Sequence, residues 1–152
     1  MSIQFPSTLR DLQEAITNHL KGCSALAGIE VFDRRKADLE SEIDNQLTNV
    51  GASIFVSEID LKDIAPDAPG ISSDAYDVTV VIFTAPTSND SGRDSAALEE
   101  IVMRRLHQWT PGVEGCGVIT IDPDPMTTRT NKKKTIRDIL FHGSVTLDAG
   151  ID

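Results

Sequence analysis

Five basic residues, Arg129, Lys132, Lys133, Lys134 and Arg137, stand within the stretch DPDPMTTRTNKKKTIRD (residues 122–138) of a chain whose formal net charge is −10. They are five of only fourteen Lys and Arg residues, so the cluster is a local reversal of sign on an acidic body. A lysine cluster can meet phosphate by charge alone. It can also meet the acidic surface of another protein, steering and registering the contact even where it adds little affinity. A single-stranded nucleic-acid site would want stacking aromatics beside the charge. The one aromatic nearby is Phe141, and alternation in ILFHGSVTL assigns it to the core side of its strand. A solvated loop, a contact with a neighbouring copy and a phosphate contact all remain open from these residues alone.

Elsewhere the chain offers little catalytic material. It contains no P-loop, GxGxxG, HExxH or GxSxG pattern. His19, His107 and His142 fall on two separate helical stretches and a strand, with no metal-like spacing, and read as surface or half-buried imidazoles. Asp122 and Asp124 in DPDP could face a hard cation, but a calcium loop needs more oxygen ligands than these two carboxylates supply. The same four residues read as a rigid Pro-Asp turn. Cys23 and Cys116 are far apart and form no CxxC pair, so they read as two small buried thiols. Ser7, Ser57, Ser72 and Ser91 offer hydroxyls without a His–acid partner that spacing could place beside them, and NDS at Asn89 is a glycosylation triplet that matters only after export. No catalytic residue, metal or cofactor is expected, and the chain is not expected to be an enzyme.

The acidic charge is concentrated as well. Residues 38–100 hold fourteen carboxylates against two bases, Lys62 and Arg93, a net charge of −12. Such a centre repels phosphate backbones, which argues against nucleic acid wrapping the body. A chain of 152 residues with 39% hydrophobic and 25% charged content is expected to form one domain, residues 1–152, with a real core. No apolar run approaches the ~18 residues of a membrane span. The opening MSIQFPSTLR lacks the charged and apolar regions of a secretory signal, so synthesis in the cytoplasm is expected.

Periodicity then lays out the elements. PSTLRDLQEAITNHLKG predicts a helix capped by Ser7, with Leu9, Leu12, Ile16 and Leu20 on one stripe and Gly22 at its end. GIEVF (28–32) predicts a short strand. RRKADLESEIDNQLTNVG predicts a surface helix with Leu39, Ile43, Leu47 and Val50 facing inward and acids or amides elsewhere. ASIFVSEID (52–60) has strand composition with apolar residues on both faces, as in a strand covered on both sides. LKDIAPDAPGISSDA (61–75) predicts a long loop, and YDVTVVIFTAP (76–86) a central strand. After the polar TSNDSGRDS, the stretch DSAALEEIVMRRLHQW predicts a helix capped by Asp94, with Leu98, Ile101, Val102, Leu106 and Trp109 buried and TPG ending it. GVITID (117–122) and ILFHGSVTL (139–147) predict two strands of an antiparallel hairpin joined by a long loop, with the basic residues at its tip or on its arms. The order α-β-α-β-β-α-β-β implies an α+β fold, a mostly antiparallel (mixed) sheet of about four to five strands with helices packed on it.

This pattern resembles the small tail terminator or tail-completion proteins of tailed bacteriophages, including the minor tail proteins of Mu-like phages. The likeness rests on LRDLQEAITNHL, on the short strand IEVF leading to a surface helix, on YDVTVVIFT followed by a polar loop and ALEEIVMRRLHQW, and on the closing hairpin GVITID to ILFHGSVTL with its charged insert. The helix over 36–50 departs from the simplest terminator layout. The resemblance implies a structural virion protein of the tail that caps or completes a tail tube as a ring, typically a hexamer. Its partners would be further copies of itself, the tail tube protein and the head–tail connector proteins. DNA would pass through the ring without specific binding, and no membrane would be involved. A closing heterologous ring needs one surface to complement another, and Arg129, Lys132, Lys133, Lys134 and Arg137 would supply the basic side of that subunit interface. An acidic lumen wall would let DNA slide. The rival from another class is a small ligand-binding protein or enzyme with its pocket under loops 61–75 and 84–94. A nucleic-acid binder using the basic hairpin is a third.

Overall fold

The structure is a computed structural model that describes residues 7–33, 39–66, 70–85, 94–130 and 134–148. The elements follow the expected order: α1 (Thr8–Lys21), a 3-10 turn (Ser24–Leu26), β1 (Glu30–Phe32), α2 (Leu39–Asn49), β2 (Ala52–Val56), β3 (Ile71–Thr84), α3 (Ser95–Leu106), β4 (Thr120–Thr130) and β5 (Thr135–Leu147). They build one sheet in the order β1-β2-β3-β5-β4. Among the described residues only β1 and β2 run parallel, with α2 as the crossover between them, and every other pairing is antiparallel. The class is therefore α+β with a mixed sheet, as the pattern implied. The strand count exceeds the four to five expected, because two further extended segments join by isolated bridges at Asp60 and Ile64 beside β3 and at Cys116 beside β5, giving seven strands among the described residues.

Helix caps act where the sequence placed them. The Ser7 hydroxyl accepts from the Arg10 amide and the Asp94 carboxylate from the Ala97 amide, each satisfying an otherwise orphaned donor. Leu12, Ile16 and Leu20 of α1 and Leu98, Val102 and Leu106 of α3 are fully buried against Val78, Val80, Ile82, Ile139 and Phe141 on one sheet face. A smaller cluster of Phe32, Ile43, Phe55 and Val81 sits on the opposite face, beneath α2. Gln13 Nε2 donates to the buried Val56 carbonyl at 3.2 Å, pinning α1 to the end of β2.

Several local expectations are corrected. The loop expected over 61–75 already belongs to β3 from Ile71 onward, so the central strand is longer than its apolar run. Its first residues are Ile-Ser-Ser, polar alternation that periodicity alone reads as loop, and they are held as strand by pairing with β5 from Ile71↔Leu147. The DPDP turn is no turn: Asp122 to Pro125 lies inside β4, where the β4–β5 register shifts between Ile121 and Met126. β4 is a sheet edge, the position at which prolines without an N–H cost no ladder bond. The hairpin connection is correspondingly short, with Thr130 paired to Thr135. α3 stops at Leu106, before Trp109: His107 leaves helical geometry and Gln108 takes a positive φ of 61°. Val50 is exposed rather than inward, because α2 ends at Asn49. The two cysteines are half-buried and unbridged, not fully buried. The expected polar loop over 87–95 lies for the most part outside the described residues.

Candidate functional site

The long β4–β5 hairpin carries the basic residues, and strand alternation divides them between two faces. Arg137 pairs across β3 with Ile82 and shares the face of the buried Ile139, where its guanidinium meets Glu99 of α3 in an ion pair with both side chains largely buried. Lys134 lies on the other face, 3.7 Å from Asp44 of α2 and with its ammonium 5.7 Å from the centroid of the Phe83 ring. Arg129 lies 3.1 Å from Asp138 on the neighbouring strand and stays mostly exposed. Lys132 and Lys133 lie outside the described residues. The three described residues of the expected interface are thus gathered on one hairpin, but each has a carboxylate partner inside the same chain. Lys134 and Arg137 brace the hairpin against α2 and α3, while Arg129 pairs within it.

The acidic excess is not a single wall either. Glu40, Glu42 and Asp44 belong to α2 and Asp94, Glu99 and Glu100 to the start of α3, and these helices pack on opposite sheet faces.

A second charged group lies at the base of the hairpin, and motif reading missed it. His142 of β5 stands opposite Asp77 of β3, with its Nδ1 2.7 Å from Asp77 Oδ1, an ion-pair distance without hydrogen-bond alignment. Its Nε2 meets Asp122 Oδ2 of β4. The other Asp122 oxygen accepts from the Asp124 amide at 2.8 Å, and Asp77 Oδ2 takes Lys62 at 2.5 Å. Lys62 is carried there by the bridged segment, whose carbonyl accepts from the buried Ser73 hydroxyl. The result is a row of alternating charge across four neighbouring stretches of backbone: Asp122, His142, Asp77, Lys62. Burial alone would lower the His142 pKa, but the two carboxylates outweigh it and hold the imidazole above its ordinary value. Asp122 is held below the usual carboxylate range by His142 first and by the Asp124 amide second. Lys62 is raised by Asp77. The alternation in β5 already put His142 on the non-core side. What no sequence pattern supplied was the register that sets Asp77 and Asp122 on either side of it.

Chemically the row saturates itself. Among the described residues no group of three or more His, Cys, Asp or Glu side chains is arranged to hold a metal ion. No described helix is long and apolar enough to cross a membrane.

The other two histidines are structural. His19 stacks on Trp109 with ring centroids 3.9 Å apart, and its Nε2 donates to the Arg105 carbonyl at 3.1 Å while Arg105 Nε donates back to the His19 carbonyl. Burial, then the nearby Arg105 charge, lowers its pKa. His107 Nδ1 accepts from the Ile121 amide at 3.1 Å, tying the end of α3 to β4.

No known protein family matches the chain, and no curated protein does. Among solved structures, the fold is similar to that of a chain in the virion of a native gene transfer agent particle. The TM-score is 0.66 at 16% sequence identity, covering 90% of this chain and 95% of that one.

Proposed function

We propose that this chain is a structural virion protein that completes the end of a phage or phage-derived tail tube as an oligomeric ring and joins it to the head connector. The observation that carries the reading is the near-complete mutual coverage, 90% and 95%, with a chain of a gene transfer agent virion. That extent matters because a shared fragment would leave the rest of either chain free for another task. The layout of charge agrees with the reading. A body of net charge −10 is suited to a passage that polyanions cross without adhering.

Within this proposal the five basic residues act in two ways. Arg137 and Lys134, braced on Glu99 and Asp44, aim the hairpin, and Lys132 and Lys133 join the subunit contact. Arg129 joins the contact by exchanging Asp138 for a partner on the next copy, because an exposed pair of this kind is worth only about 0–1 kcal/mol. The virion is the site of action, the tube and connector proteins are the neighbours, and the role is non-catalytic.

The test is light scattering with negative-stain imaging of the purified protein at low and moderate salt, alone and with its tube protein. Rings should form in at least one of these conditions. Reversing Lys132, Lys133 and Lys134 to Glu should impair assembly while circular dichroism stays unchanged. A protein that stays monomeric in every condition would overturn the ring, and full assembly of the reversed variant would remove the hairpin contact.

A further inference from the structure

We propose that His142 is a charged staple that holds the Asp122–Pro123–Asp124–Pro125 stretch of β4 against the sheet only while its imidazole carries both protons. The inference is independent of the tail reading and begins with a gap in the ladder. Between Ile121 and Met126 the β4–β5 register breaks, and Pro123 and Pro125 have no N–H to offer. The side chain that crosses this gap from β5 is His142, reaching Asp122.

The geometry dictates the protonation state. A neutral imidazole has one N–H and one lone pair, and carboxylates only accept. His142 faces Asp77 with Nδ1 and Asp122 with Nε2, so a neutral ring would turn a lone pair toward one of two carboxylates. The doubly protonated ring donates to Asp122 from Nε2 and sets its positive charge beside Asp77. Among the described side chains, the other charged groups at the site are Asp77 from β3, Asp122 from β4 with Asp124 bound to it through its amide, and from the bridged segment Lys62 with Asp60 and Asp63 near it. Lys62 is an opposing cation, and Asp77 lies between it and the ring.

The sign follows directly. A histidine whose folded pKa is raised contributes fully below its unfolded value of about 6.5, and the contribution is lost as pH rises through the folded value. Asp122, whose folded pKa is lowered, keeps its side of the contact above about 4 and loses it as pH falls through the folded value. The staple is therefore closed between the two and opens on the alkaline side, freeing the bulged edge while the helix-covered face keeps its packing.

The experiment is an NMR titration of the three imidazoles, with protection factors for the amides of Asp124 and Met126 measured across the same pH range. His142 should titrate above His19. The Asp124 and Met126 amides should lose about tenfold in protection through the His142 titration, the scale of one hydrogen bond to a charged group, while amides of β2 do not follow it. His142→Gln should remove that pH dependence, and Asp122→Asn, a change outside the apolar core, should lower the His142 midpoint. A His142 that titrates with or below His19, or Asp124 and Met126 protection that stays constant while His142 titrates, would overturn the staple.

Discussion

The two faces of the sheet are made by the same strands under different rules. On the face covered by α1 and α3, every inward position of β3 and β5 from Val78 to Ile82 and from Ile139 to Phe141 is apolar and buried, and ionic groups enter only at the rim through Arg137 and Glu99. On the other face, the apolar cluster under α2 spans only the β1–β2–β3 side; toward β4 the same strands present Asp77, His142, Asp122, Asp138 and Arg129. The first face supplies the burial that makes the domain stable. The second is held by geometry-dependent charge pairs, each of which is worth little by itself but fixes where the hairpin points. A fold that must present an arm in one orientation gains from that division, because charge pairs specify direction and can be re-partnered, whereas an apolar core cannot.

The comparison can be broken most strongly in the core. Phe141→Ala on the helix-covered face should cost about 3–5 kcal/mol in denaturant unfolding. Phe55→Ala in the smaller cluster should cost less, about 2–3 kcal/mol. Equal losses would mean that the α2 side is as important to stability as the helix-covered one.

Next is the close approach at Gly143, where an added Cβ would sit 2.4 Å from the Tyr76 hydroxyl oxygen and 2.5 Å from its Cζ. Gly143→Ala should destabilise by about 1–3 kcal/mol through overpacking. Tyr76→Phe should be near neutral by the same measurement, since the buried hydroxyl it deletes has no hydrogen-bond partner.

The ion pairs should rank by burial. Arg137→Ala, which strands a largely buried Glu99, should cost about 1–2 kcal/mol, and Arg129→Ala no more than about 0.5 kcal/mol. If the ranking is reversed, the hairpin is braced at its exposed edge and not against α3.

The smallest effect is the opposition of two histidines. His19 has a lowered folded pKa, so stability falls as pH drops below the ordinary histidine range, where the unfolded chain takes up the proton first. His142 has the reverse sign and loses its contribution on the alkaline side. Unfolding curves from pH 5 to 9 should flatten on the acid side in His19→Gln and on the alkaline side in His142→Gln. Identical curves for both variants would remove the distinction.

Much of the fold was legible because the helices bury one stripe each. Leu12, Ile16 and Leu20 repeat at helical spacing, Ser7 and Asp94 are cap residues at the right offsets, and Val78 to Phe83 is β-branched enough to name the central strand. Those signals are local, and local physics decides them. The errors fell where pairing partners overrode local preference. Ile-Ser-Ser reads as loop until β5 supplies its hydrogen bonds, and DPDP reads as a turn until an edge position makes two missing amides harmless.

The sequence by itself determined the helices, the core faces of β3 and β5, the surplus of acid in the centre and the basic hairpin, since composition and period are properties of neighbouring residues. Only the tertiary structure decided which charges meet. Arg137 with Glu99 is separated by 38 residues and His142 with Asp122 by 20; the packing of α3 on the sheet brings the first pair within reach and strand pairing the second. A one-residue slip of β5 would turn His142 into the core and Phe141 out to solvent, so the apolar packing on one face dictates the charge row on the other.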